Sequence, residues 1–206
     1  MGASAAKRAL ALAKRQRILR PRDLAPLGIA RETLRRLESA GQLERRGRGL
    51  YVPVGTEFSE HEMLMMASIR VPHGVVCLLS ALRFHELTTQ NPPELWLAID
   101  RKARAPIVPD LPVRLVRFSG EARTAGVEDP VIDGVGVHVY GVAKTVADCF
   151  KYRNKIGIDV AIEALKDCWR SRRCSADALW RYAAICRVTN IMRPYLETVI
   201  AEAGRA

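Results

Sequence analysis

The 206-residue sequence has no long hydrophobic run: the stretch Val75 to Leu79 stops at Ser80, far short of the ~20 apolar residues a spanning helix requires. A transmembrane protein is excluded on that reading. Continuous apolar character is also missing from Met1 to Ala13, where Lys7 and Arg8 interrupt small residues, so no secretory leader is expected and the chain is assigned to the cytoplasm. Cysteine is scarce and unpatterned. Cys77, Cys149, Cys168, Cys174 and Cys186 form an odd set without a C-x-x-C pair, which predicts buried free thiols. Catalytic signatures are absent too. No Ser-His-Asp arrangement, phosphate-cradling G-x-x-x-x-G-K loop or glycine-rich dinucleotide fingerprint occurs, and His61-Glu62 lacks the second histidine of a zinc-protease helix because Met65 stands there. Neither a metal nor a cofactor is expected, and a non-enzymatic role is favoured.

What the sequence does have is positive charge, unevenly placed. Of 33 Lys and Arg residues, 13 fall between Met1 and Val52 against 4 acidic residues, whereas the rest of the chain is nearly balanced. A local excess of this kind attracts polyanions and releases their counterions. The shift in composition places a boundary near Pro53 to Glu57, dividing the chain into residues 1–54 and residues 55–206.

The first fifty residues carry a helical pattern. Ala5 to Gln16 is rich in Ala, Leu, Lys and Arg, with Ala6, Leu10 and Ala13 at helical spacing. A short second helix is predicted from Pro21, with Asp23 in its first turn, ending at Pro26 and Gly28. Ala30 to Ala40 is a third, with Leu34 and Leu37 inward, Arg31, Glu32, Arg35 and Arg36 outward, and Gly41 as its stop. Two short helices joined by a tight glycine-containing turn make a helix-turn-helix. Leu43-Glu44-Arg45-Arg46 and Leu50-Tyr51-Val52 around Gly47-Arg48-Gly49 read as a two-stranded wing.

That arrangement assigns roles. The third helix is expected in the major groove of double-stranded DNA, where Arg31 and Arg35, one turn apart, reach guanine edges with their guanidinium forks. Thr33, between them, is also expected to contact DNA, and Arg36 is either a further contact or an i,i+4 partner of Glu32. Arg45, Arg46 and Arg48 on the wing are expected to touch phosphates or the minor groove, setting affinity more than sequence choice.

The run Gly28-Ile29-Ala30-Arg31-Glu32-Thr33-Leu34-Arg35-Arg36-Leu37 and the later Gly47-Arg48-Gly49-Leu50-Tyr51-Val52-Pro53 resemble the amino-terminal domain of AbiEi-family antitoxins, the antitoxin and transcriptional regulator of type IV toxin-antitoxin systems. One departure is Ala30, where these sequences often carry a Ser or Thr able to cap the helix; its absence weakens the helix start by about 1 kcal/mol.

The remaining residues predict an α+β domain. Ser59-Glu60-His61-Glu62 is a capping box opening a helix with Met63, Leu64, Met66 and Ala67. Val75 to Leu87 reads as a buried helix. Leu95 to Ile99 and Val113 to Phe118 favour strands, and Asp133-Gly134 between Val131-Ile132 and Val135 is the strongest hairpin signal in the chain. A small antiparallel or mixed sheet is therefore expected. Four helices follow, over about 143–153, 157–170, 175–188 and 191–203. Lys144, Lys151, Arg153 and Lys155 crowd the first and the turn after it, while Asp159, Glu163 and Asp167 recur along the second. These charges read as solvated faces, an ion-pair seam between the two helices, or a positive patch for a partner or nucleic acid.

Leu79-Ser80-Ala81-Leu82, Phe84 to Gln90, Ala143-Lys144-Thr145-Val146-Ala147-Asp148-Cys149-Phe150-Lys151-Tyr152-Arg153, Gly157 and Glu163-Ala164-Leu165 are similar to the carboxy-terminal domain of the same antitoxins. The resemblance implies that the amino-terminal domain binds inverted repeats in its own promoter, with a dimer on DNA a natural consequence. It also implies that the larger domain counteracts a nucleotidyltransferase-like toxin without a stable complex, with the four basic residues above as candidate antitoxicity positions. Two other readings stay open. One is a ligand-responsive winged-helix repressor. The other is a metal-dependent nuclease using Asp100 and Lys102 with Glu86 or Glu94.

Overall fold

In the computed structural model, residues 4–47, 49–56, 61–109 and 111–203 are described. Two compact units emerge: Met1–Glu62 together with Val131–Gly136, and Met63–Pro130 together with Val137–Ala206.

The first unit opens with α1 (Ala5–Gln16), whose Ser4 accepts a hydrogen bond from the Lys7 amide. Its buried stripe is Ala9 and Ala13, flanked by Leu10 and Leu12. Ala6, expected on that stripe, is exposed. Small alanines let α1 lie close to its neighbours. Next comes α2 (Pro21–Leu24), where Pro21 supplies a preset first turn and the Asp23 carboxylate accepts both the Arg20 amide, at 2.8 Å, and its guanidinium. A 3-10 turn at Ala25–Leu27 and Gly28 leads to α3 (Glu32–Ser39). Gly41, at φ +65°, takes the left-handed conformation that terminates α3.

Strands β1 (Leu43–Gly47) and β2 (Leu50–Pro53) pair antiparallel, with Glu44 opposite Val52 and a register shift between Arg45 and Gly47. Tyr51 also exchanges backbone hydrogen bonds with Leu19, at 2.7 and 2.9 Å, so β2 is held from both sides. Leu19, Leu24, Ile29, Leu34, Leu37, Leu43 and Tyr51 fill the core beneath these elements. Ser59, the expected cap of the next helix, lies outside the described residues.

The second unit is α+β. Its sheet runs β5-β4-β3-β9-β6 across. The strands are β3 (Val75–Val76), β4 (Leu95–Asp100), β5 (Val113–Phe118), β6 (Val127–Glu128) and β9 (Val139–Tyr140). The β3/β4 and β6/β9 pairs are antiparallel, and the β3/β9 and β4/β5 pairs are parallel. The sheet is therefore mixed. Val75-Val76 is a correction to the long helix read there: it is a two-residue central strand, and the helix that follows, α5 (Leu78–Phe84), is shorter. The Asp133-Gly134 hairpin is present as β7 (Val131–Ile132) and β8 (Val135–Gly136), with φ of +47° and +80° at its two turn residues. It forms its own two-stranded sheet and groups with the first unit, not with the mixed sheet.

The helices of this unit are α4 (Glu62–Arg70), α5, α6 (Glu121–Thr124), α7 (Val142–Lys151), α8 (Arg153–Ile156), α9 (Ile158–Arg170), α10 (Ala176–Ile185) and α11 (Thr189–Ala203). Helix α7 is central, packed by α5, α9 and α10, and every residue from Ala143 to Phe150 is buried. No described helix is long and apolar enough to cross a membrane.

Cysteine usage differs from expectation in one respect. Cys77, Cys149 and Cys186 are buried thiols, but Cys168 and Cys174 form a disulfide across the loop after α9. Six residues of chain turn back here and bring the two Cα atoms to 5.9 Å, within the range a bridge spans.

Candidate nucleic-acid interface

Helix α3 has two unlike faces because its residues follow a 3.6-residue period. Thr33, Leu34 and Leu37 point into the core, while Arg31, Glu32, Arg35 and Arg36 are exposed. Thr33 was expected to face DNA; at 4% exposure it belongs to the buried stripe. Its position one residue before Leu34 and four before Leu37 is the spacing that puts it there.

The side chains of Arg31, Arg35 and Arg36 make no hydrogen bond or ion pair among the described residues, and Glu32 does not hold Arg36. Three guanidinium groups on a helix of twelve ångströms or so, at about 1.5 Å rise per residue, thus stand free for an external acceptor. Arg31, not Ala30, stands at the cap of the helix, and its side chain does not cap it; Ala30 and Arg31 accept the Thr33 and Leu34 amides through their carbonyls, at 3.0 Å each.

The hairpin arginines are less alike than their sequence suggests. Arg45 is exposed and donates to the Gly47 carbonyl at 3.2 Å, a contact that shapes the tip without neutralising charge. Arg46 pairs with Glu44 at 2.8 Å. Both partners are partly exposed, so this pair is worth ~1 kcal/mol or less and gives way readily to a phosphate. Arg48 lies outside the described residues.

In the second unit, the four basic residues proposed as one patch separate. Lys144 is a correction: it is wholly buried, with its ammonium 2.5 Å from Asp148 and 4.0 Å from the Tyr140 ring centroid. Phe118 supplies a second aromatic face at 4.9 Å. The other Asp148 oxygen accepts from the Cys186 thiol at 3.2 Å. Burial pushes the Asp148 carboxyl up to about 6 against the pull of Lys144. Lys151 and Lys155 are exposed, and Arg153 is half-buried with its guanidinium on the Phe150 carbonyl. None of the three pairs with Asp159, Glu163 or Asp167 among the described residues, so the ion-pair seam read between these helices does not form.

The residues of the nuclease alternative do not converge. The Asp100 carboxylate accepts the Lys102 amide and lies 3.8 Å from Arg123, while Glu94 pairs with Arg114. Among the described residues no three His, Cys, Asp or Glu side chains gather as a metal site.

Buried polar groups that sequence reasoning missed include His85, whose Nε2 donates to the Tyr140 carbonyl at 2.8 Å and whose burial lowers its pKa. The Arg173 guanidinium in turn donates to the His85 carbonyl. These contacts tie α5 and the α9–α10 loop to the sheet and occupy the Nε2 edge of the His85 ring.

Comparison with known proteins bears on the basic segment. Residues 7–54 match a family model described as "Transcriptional regulator, AbiEi antitoxin". The match spans α1 through β2 and ends as the hairpin ends. The fold is similar to that in the crystal structure of RV2827C protein from Mycobacterium tuberculosis, at 18% identity and a TM-score of 0.58 over 89% of this chain and 72% of that one. No curated protein matches the chain.

Proposed function

We propose that the first unit is a winged helix-turn-helix that binds duplex DNA, and that the protein is the antitoxin and autorepressor of a type IV toxin-antitoxin operon. The observation that carries this reading is the row of unpaired arginines on the outer face of α3 in a segment that matches an antitoxin regulator family. In the major groove Arg31 and Arg35 contact guanine O6 and N7, and Arg36 reaches a neighbouring base edge or phosphate. Arg45 and Arg46, released from Glu44, contact the backbone and hold the register, with Arg48 a further wing contact.

Operator symmetry follows from this reading. Inverted repeats in the protein's own promoter take two copies of the chain, which meet on the DNA. The second unit counteracts a nucleotidyltransferase-like toxin without a stable complex, and exposed Lys151 and Lys155 with half-buried Arg153 are the antitoxicity candidates that remain once Lys144 is assigned to the core. The chain acts in the cytoplasm, without a cofactor and without catalysis of its own.

Footprinting on the DNA upstream of the protein's own gene tests the first half: two symmetric protected half-sites are expected, and protection without symmetry or sequence preference would overturn it. Growth rescue on co-expression with a nucleotidyltransferase encoded next to it tests the second.

A further inference from the structure

The second unit contains a cavity of about 450 Å³ between β5, α7 and the end of α10, within the size range of sites for small organic ligands. Its composition is not that of a packing defect. Arg117, Lys151 and Arg187 bring three positive charges to it, Ser119 adds a hydroxyl, and the rings of Phe118 and Tyr152 form an aromatic wall. Lys151 and Arg187 are exposed and make no side-chain hydrogen bond or ion pair among the described residues. Arg117 is anchored through one nitrogen to the carbonyls of Asp100, Arg101 and Ala103, at 3.2, 2.9 and 2.8 Å, and none of those partners cancels its charge.

Two carboxylates also line the cavity, and they do not balance these cations. Asp148 is already paired with Lys144, and exposed Glu121 offsets a single charge. The aromatic wall is held in place. The Tyr152 hydroxyl donates to the Arg117 carbonyl at 3.2 Å, and its ring lies 5.4 Å from that of Phe118. The half-buried Tyr152 ring, backed by Phe118 beside a cluster of uncompensated cations, suits a molecule with a flat ring at one end and a phosphate at the other.

We infer that this cavity binds a 5′-nucleoside monophosphate, its phosphate held by Arg117, Lys151 and Arg187 and its base against Tyr152 and Phe118. The site is independent of the DNA-binding reading, since all of these residues belong to the second unit.

Calorimetric titration of the full-length protein with adenosine and cytidine 5′-monophosphates, inorganic phosphate and unphosphorylated adenosine tests it. At least one monophosphate is expected to bind more tightly than inorganic phosphate and adenosine, and Lys151→Glu with Arg187→Glu to weaken it tenfold or more. Both side chains are exposed, so an unchanged thermal midpoint in the double variant will establish that the fold is intact; if the midpoint falls, Lys151→Ala and Arg187→Ala singly are expected to weaken the same ligand. Absence of binding at millimolar nucleotide, affinity unchanged by the substitutions, or inorganic phosphate binding as tightly as every nucleotide would overturn the assignment.

Discussion

The arginines of α3 and Lys144 of α7 use their charge in opposite ways. On α3, Arg31, Arg35 and Arg36 are exposed and unpaired, so their charge is projected outward. In α7, Lys144 is enclosed by Asp148, Tyr140 and Phe118, so its charge is consumed inside the fold. Burial decides which role a basic residue takes. An exposed guanidinium retains its long-range attraction for phosphates, at little cost to folding. A buried ammonium has lost its hydration and depends on the few groups around it.

The sharpest way to break this comparison is to remove a cation from each unit. Lys144→Ala leaves Asp148 buried without its partner and is expected to lower unfolding stability by about 3 to 5 kcal/mol. Lys155→Ala on the surface should stay within ~0.5 kcal/mol. Urea denaturation of both variants measures the gap; equal losses would mean that Lys144 is not structural.

A second test concerns recognition. Arg35→Ala is expected to lose about 1 to 3 kcal/mol of discrimination at one operator base pair, whereas Arg45→Ala should weaken binding evenly across sequences. Competition binding with single-base operator variants distinguishes the two patterns.

The buried pair also has a pH signature. The Asp148 carboxyl sits at about 6 in the fold against an ordinary value of 3.8. The folded protein therefore takes up a proton at higher pH than the unfolded chain does. This group's contribution to stability grows as pH falls from about 6 towards 3.8, and is lost as pH rises through the same window. Wild type should gain stability relative to Asp148→Asn between pH 6 and pH 4, as read by thermal denaturation at each pH.

The smallest effect is expected at Thr33. Since it faces the core, Thr33→Val should change DNA affinity far less than Arg35→Ala in the same binding assay.

Legibility in the sequence followed solvent contact. Helices α1 to α3 and the hairpin after them were readable because each has one wet and one dry face, and the periodicity of that contrast is what a sequence displays. Strands β4 and β5 were readable from their β-branched and aromatic content. Val75-Val76 was not, since a short apolar run buried on both sides has no contrast to distinguish strand from helix. Lys144 was misplaced for a related reason: α7 is enclosed on all sides, and a lysine there looks like a surface residue until Asp148, one turn on, is seen to neutralise it. Thr33 was misread although its spacing with Leu34 and Leu37 indicated burial. The Cys168–Cys174 disulfide depends on how the loop after α9 turns back, which spacing alone does not encode.

The central claim is that the unpaired arginines of α3 bind the protein's own promoter. It is tested most directly by measuring affinity for that DNA as a function of salt, in wild type and in a variant carrying Arg31→Ala, Arg35→Ala and Arg36→Ala. Wild-type affinity should fall about a thousandfold or more between 50 and 200 mM salt, and the variant should bind more weakly with a shallower slope. Affinity that is flat with salt, or the same in both proteins, would contradict the account.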